Sequence, residues 1–331
     1  MKTYIYGAYG TGNLGDDLLL KGALQEYNDN NVIVISYGKP YISKNIKWLH
    51  RDHIISNPEK IFEAGDLLIF AGGGLFWSSE HCEDMYLLAK SAVNKNATVK
   101  VKRIGAQGMQ FNFNAVKNLL SISDFVSVRD LNSVEILKKY KIYEHAVYEE
   151  DYALTLSEYA HDVKARQNVL NTQRKKRIGI NHSALPFFFD ESHRNKAINI
   201  YAELSYAYSD SIDFYYIPHT RHFNCIEQND IVYGEYFWIG SGGRISSYNF
   251  PNSIEELIEI YCGLSGCIGW RYHMLVLSKL LNIESSYLGS IEGHKYYSFS
   301  LENNIPIFNF DESTNKIIEG ISKWIEERVL N

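Results

Sequence analysis

The chain predicts two α/β lobes in tandem, each a parallel sheet covered by helices, the two facing one cleft. Three observations predict this. Apolar runs that read as strands alternate with helical patterns along the whole length, which is the pattern of a helix-covered parallel sheet. A glycine-marked turn follows a strand in each half: Gly10-Thr11-Gly12-Asn13-Leu14-Gly15-Asp16-Asp17 near the start and Gly269-Trp270-Arg271-Tyr272-His273 near the end. At 331 residues the chain also exceeds one usual core, so two domains are the default.

The elements follow in order. Residues 3–7 read as a strand, and 16–27 as a helix with Leu18, Leu19, Ala23 and Leu24 apolar. Residues 32–37 and 66–71 are nearly all-apolar runs, as strands covered on both faces should be. The second of them ends at Gly72-Gly73-Gly74. Strands over 99–106 and 125–128 come next. Asn132 and Glu135 form a capping-box-like start to a helix over 134–140. Composition turns polar over about 158–174, which predicts a linker between lobes at 1–157 and 175–331. The short basic run 174–177 reads as a solvated approach to the next strand rather than a nucleic-acid patch. The second lobe shows strands at 178–181, 214–217, 267–270 and 285–288, with helices at 197–208, 254–264 and 274–281. An amphipathic helix over 315–329 closes the chain.

Composition narrows the function. Lys and Arg total 33 against 39 Asp and Glu, a net charge of −6, which argues against a general nucleic-acid binder. No apolar stretch reaches the about 18 residues of a spanning helix, and no secretory signal is read at the start. A cytoplasmic protein is expected. Of the cysteines Cys82, Cys225, Cys262 and Cys267, only the last two are close, and their spacing fits no strong zinc pattern. Free buried thiols and no metal site are the expectation. The 25 tyrosines can stack on sugar rings, although Asn, Ile and Lys are also frequent, as codon bias would give.

The first turn matches G-x-G-x-x-G between a strand and a helix, the dinucleotide-binding context. That site needs an acidic residue at the end of the second strand, and the strand ends Ser36-Tyr37-Gly38. Asp16 and Asp17 stand where a pyrophosphate needs neutral donors. Carboxylates in a helix's first turn do favour the helix through its dipole. The turn therefore reads as anion-site geometry without a nicotinamide cofactor.

Four signals recur in order: Gly12-Asn13-Leu14-Gly15-Asp16-Asp17, Gly72-Gly73-Gly74, Ser127-Val128-Arg129-Asp130-Leu131-Asn132-Ser133, and Gly269-Trp270-Arg271-Tyr272-His273. This set resembles the polysaccharide pyruvyl transferase family. Lys295 in Gly293-His294-Lys295, and His219 in Tyr216-Ile217-Pro218-His219, resemble two further family features. The resemblance spans about residues 7–300. It implies a GT-B-like fold of two Rossmann-like lobes and transfer of a pyruvyl group from phosphoenolpyruvate to a sugar of a surface-polysaccharide precursor. The product is a pyruvate ketal, phosphate is released, and no metal or nucleotide takes part. The acceptor is a sugar or lipid-linked oligosaccharide, so work at the inner face of the membrane is compatible with it. Two departures, Asp17 for the usual glutamate and the bulky Trp270, bear on acceptor choice.

The chemistry accounts for the residue types. Phosphoenolpyruvate carries two anionic groups, and a planar guanidinium pairs with two oxygens of either. Arg129 and Arg271, at the ends of strands in opposite lobes, are the candidate clamps, each weighed against a plain ion pair. Protonation of the methylene carbon needs an acid, and His273 is the candidate. Lys295 is the candidate for the leaving phosphate and His219 for the wall of the site. Gly72, Gly73 and Gly74 would let backbone N–H groups approach the ligand. Asn13 belongs to the first turn, and Asp16 is the candidate base. The three groups Arg129, Arg271 and His273 are expected to meet on one anion. A nucleotide-sugar glycosyltransferase and a non-catalytic sugar-binding protein are the other readings of the same architecture.

Overall fold

The computed structural model describes residues 1–27, 31–43, 45–106, 113–168, 175–182, 190–222, 226–290 and 295–331, excepting the side chains of 167, 168, 226 and 295. Contacts divide the chain into two compact units, Met1–Leu156 and Ser157–Asn331. Among the described residues each is a parallel-sheet α/β domain.

The first unit's strands are β1 Thr3–Tyr6, β2 Val32–Ser36, β3 Lys47–His50, β4 Leu67–Ala71, β5 Thr98–Ile104, β6 Phe125–Val128 and β7 Val147–Tyr148. They lie in the order β3-β2-β1-β4-β5-β6-β7, all pairings parallel. β1 is buried along its length because it lies inside the sheet with both faces covered. Tyr6, Phe70, Val101, Leu88 and Leu119 belong to one core cluster. Strand order reverses between β1 and β4. Outside the carboxyl ends of such a pair lies the switch point where open α/β sheets take ligands.

The second unit repeats the plan. Its strands are β8 Lys176–Asn181, β9 Ile212–Tyr216, β10 Ile245–Ser247, β11 Gly266–Gly269, β12 Glu284–Gly289 and β13 Ile307–Asn309. Their order is β10-β9-β8-β11-β12-β13, again all parallel. Ile180, Phe214, Ile268, Leu277 and Leu288 are buried, and the switch point falls between β8 and β11.

The described part of the expected linker, residues 158–168, is not a plain connection. The helix Ser157–Asn168 fills it and packs against the helix Ile254–Cys262 within the second unit. It reads as polar because it buries only a narrow stripe, Ala160 and Val163. Arg174 and Cys225 lie outside the described residues. Cys82, Cys262 and Cys267 are free and buried. Among the described residues no helix is long and apolar enough to cross a membrane.

Candidate active site

In the first unit β1 runs into the glycine turn. Gly10 has φ 68°, and a Cβ there would stand 2.2 Å from the Gly38 carbonyl oxygen, so no other residue fits. Asn13 caps the helix Leu14–Glu26, its Oδ1 accepting from the Gly15 N–H at 3.1 Å. The helix therefore starts two residues before the expected Asp16. Asn13 Nδ2 donates to Asp16 at 2.7 Å. Asp17 is fully buried and accepts from the Gly10 and Tyr41 N–H groups, both at 2.9 Å. Burial pushes its pKa up to about 7, against the pull of those two N–H groups. Asp17 thus ties the turn to the segment after β2, while Asp16 stays half-buried at the edge.

Gly72, Gly73 and Gly74 follow β4, across the switch point. Gly72 and Gly73 have φ 67° and 76°, a left-handed backbone that disfavours side chains. A Cβ on Gly73 would lie 3.4 Å from Asp16 Oδ1, so Asn13, Asp16 and Gly73 come together. Gly74 is exposed and has nothing within 4 Å of its Cβ position.

The serine-arginine-aspartate motif begins in β6. Ser127 Oγ accepts from the Arg103 N–H at 3.0 Å and donates to the Glu149 carboxylate. The Arg129 side chain is fully buried, and its Nη1 donates to Asp151 Oδ2 at 3.0 Å. Asp130, not Asn132, caps the next helix, Leu131–Lys139, by accepting from the Ser133 N–H at 2.7 Å. Asn132 lies inside the helix, whose orphan Ser133 N–H is already satisfied by Asp130. Ser133 Oγ accepts from the Ala106 N–H at 2.8 Å. Arg129, Asp130 and Ser133 each hold a buried polar contact.

In the second unit Arg271 occupies the N-cap position of the helix Tyr272–Leu280 without capping it through its side chain. Instead the guanidinium pairs with Asp230. Asp230 is fully buried and also accepts from the His219 and Thr220 N–H groups at 2.9 and 3.1 Å. Burial disfavours the Arg271 cation, yet the Asp230 carboxylate, with the Tyr216 and Tyr296 phenols, leaves its pKa raised. Arg271 Nε is buried without a hydrogen-bond partner among the described residues. His219 is buried and shares a hydrogen bond of 2.7 Å with the Tyr261 hydroxyl. Burial, then the Arg271 charge, lower its pKa to about 3, so it is neutral at ordinary pH. His273 lies in the first turn of the Arg271 helix, 9% exposed, its ring against Tyr272. The structure thus groups Arg271 with His219 through Asp230 and places His273 two residues beyond.

A sequence model of the polysaccharide pyruvyl transferase family matches residues 13–290. The chain belongs to that family. No curated protein matches it in sequence. Solved structures share its fold at low identity. S. aureus MnaA in complex with UDP has a TM-score of 0.66 at 12% identity, covering 99% of this chain and 89% of that one. UDP-GlcNAc 2-epimerase from Neisseria meningitidis, bound to UDP-GlcNAc, has a TM-score of 0.61 at 12% identity, covering 98% and 92%. Anabaena Alr3699/HepE in complex with UDP has a TM-score of 0.60 at 9% identity, covering 99% and 92%. These likenesses establish the GT-B-like fold.

For a pyruvyl transferase the bulky Trp270 is notable. Its indole is 5% exposed and packs on His182, His193, Phe310 and Tyr287. His182 and His193 lie Nε2 to Nε2 at 2.8 Å. Trp270 therefore serves an aromatic cluster at the carboxyl edge of the second sheet. Lys295 opens the helix Lys295–Glu302; its side chain, with Gly293 and His294, lies outside the described residues. Among the described residues no cluster of three metal-ligating side chains occurs.

Two carboxylates were missed by sequence reasoning. Asp151 ends the acidic run Glu149-Glu150-Asp151, which belongs to no motif. Asp230 opens the helix Asp230–Gly240, whose aromatic and β-branched composition carries little helical signal. Asn229 just before it, which caps the helix by accepting from the Ile231 N–H at 3.1 Å, was the one available cue.

Proposed function

We propose that the protein transfers the pyruvyl skeleton of phosphoenolpyruvate to two hydroxyls of a sugar in a surface-polysaccharide precursor. The observation that carries this reading is Arg271, half-buried and held by a fully buried carboxylate. Asp230 takes Nη2 of its guanidinium, Nε is left over among the described residues, and His273 follows on the same helix. A guanidinium already fixed through one nitrogen keeps its remaining N–H groups in place for an anion and has less side-chain entropy to lose on binding. The helix N-terminus adds N–H groups and a favourable dipole. Asp230 acts here as a positioning residue for Arg271 and for the His219 backbone. Arg129 is the second guanidinium that the family pattern assigns to the donor, and Asp151 orients it.

In the proposed reaction His273 delivers a proton to the methylene carbon, leaving positive charge on the carbon that bears the carboxylate and phosphate. A sugar hydroxyl adds to that carbon and its proton passes to a base, for which Asp16 beside Asn13 and Gly73 is the candidate. The C–O bond to phosphate breaks, with Lys295 as candidate to meet the leaving charge, and the second hydroxyl closes the ketal as its proton passes to the released phosphate. The methylene has become a methyl group and inorganic phosphate is released. No metal or nucleotide enters the scheme.

The neighbours solved with UDP or UDP-GlcNAc favour a nucleotide-sugar donor as the second reading. A thermal-shift comparison separates the two. Phosphoenolpyruvate at a hundredfold excess over its Kd should stabilise the protein by about 2.7 kcal/mol, and UDP-sugars should not. His273→Gln should keep most of that stabilisation and lose phosphate release. Stabilisation by UDP-sugars alone, or turnover of His273→Gln at the parent rate, would overturn the assignment.

A further inference from the structure

The helix Asp230–Gly240 carries Ile231, Gly234, Glu235 and Trp238 on one stripe, at the i, i+3, i+4, i+7 spacing of a single helical face. That stripe, Arg221 and residues 247–250 after β10 line a cavity of about 440 Å³, a size in the range of small-ligand sites. Its close walls are set by Gly234. A Cβ there would stand 2.5 Å from Ser247 Oγ and 3.1 Å from Ser247 Cβ, so the helix lies close against the edge strand and any larger residue would displace Ser247. Arg221 is anchored by a backbone bridge to Asn229, the residue that caps the same helix.

The lining has a definite chemistry. Trp238 is 55% exposed, an open indole face on a structured helix, and the half-buried Tyr248 is a second aromatic wall. Polar groups come from the Glu235 carboxylate, the Arg221 guanidinium and the Asn249 amide. One positive and one negative charge make no net attraction for a polyphosphate. Mixed donors and acceptors suit a rim of hydroxyls, each of which both donates and accepts. An aromatic face suits the C–H face of a sugar ring. Arg221 lies two residues past His219, and Ile231 adjoins Asp230, so the cavity shares the carboxyl edge of the sheet with Arg271.

The geometry points to a subsite here for one pyranose ring of the acceptor glycan. The word acceptor rests on the transferase reading above; binding of the ring does not. Saturation-transfer NMR on the whole chain tests it, with methyl β-D-galactopyranoside, methyl β-D-glucopyranoside, methyl β-D-mannopyranoside and UDP as separate probes. At least one pyranoside should bind. Its Kd should rise about tenfold in Trp238→Ala, the loss of one stacked face, and should also rise in Glu235→Gln. Both positions are exposed, and melting curves confirm that the variants are folded. Silence from every pyranoside, unchanged binding in both variants, or a Trp238-dependent signal from UDP instead, overturns the subsite. In turnover, Trp238→Ala should raise the KM for acceptor and leave the KM for phosphoenolpyruvate unchanged. Pyranoside binding that depends on Trp238, in a protein that neither binds nor turns over phosphoenolpyruvate, would uphold the subsite and defeat the transferase reading. Phosphoenolpyruvate turnover with pyranoside binding indifferent to Trp238 would do the reverse.

Discussion

Asp16 and Asp17 are neighbours in sequence with opposite environments. Asp17 is fully buried on two backbone N–H groups, and Asp16 is half-buried beside Asn13 and Gly73. Dipole arguments treat the two alike, because both stand in a helix's first turn. Burial separates them, and it sets a pH dependence. The folded pKa of Asp17 is about 7 against an ordinary 3.8. Between those values the native state keeps a proton that the unfolded chain releases. Stability from this group is therefore greatest below the ordinary value and falls as pH rises toward the folded one, by at most about 1.4 kcal/mol per unit. Asp17→Asn cannot titrate. The denaturation midpoint of the parent, relative to that variant, should decline as pH rises through the window. A constant difference would show that Asp17 is ionised throughout. The same contrast governs the arginines: the sequence pointed to Arg129 and Arg271, but their partners Asp151 and Asp230 lie 22 and 41 residues away, in segments without a motif.

At the level of elements the strands divide by position. Those read from sequence are the interior strands of the two sheets. Among the described residues the four that were not read, β3, β7, β10 and β13, are the four sheet edges. Interior strands are covered on both faces, which favours apolar runs such as those of β2 and β4. Edge strands here have two to four residues and are partly exposed, so neither length nor hydrophobicity marks them. The glycine triplet divides in a similar way. Gly72 and Gly73 answer to backbone conformation, and Gly74 answers to neither conformation nor packing. Gly72→Ala and Gly73→Ala should each cost about 1–2 kcal/mol in thermal or denaturant unfolding. Gly74→Ala should stay within about 0.5 kcal/mol of the parent while raising the KM for phosphoenolpyruvate. A stability loss at Gly74 equal to that at Gly72 would return the whole triplet to a packing role.

For the whole molecule, the test is whether one ligand depends on residues of both units. Arg129→Ala and Arg271→Ala are each expected to reduce the thermal stabilisation given by phosphoenolpyruvate. Arg129→Ala should also lower the melting temperature of the unliganded protein, because it strands the buried Asp151 carboxylate at a cost of about 3 kcal/mol or more. A phosphoenolpyruvate shift that survives either change removes that arginine from the donor site. The sequence by itself determined the class of fold, the interior of both sheets, the family and the turns that reach the switch points. These are local matters: apolar period, glycine backbone and short motifs are written in consecutive residues. Tertiary structure alone decided which acid is buried, which carboxylate orients each arginine, that Trp270 belongs to an aromatic cluster, and that a cavity opens between Trp238 and Tyr248. Each depends on groups brought together from distant segments, and burial, which sets the worth of a charge, is a property of the folded surroundings and not of the residue that carries it.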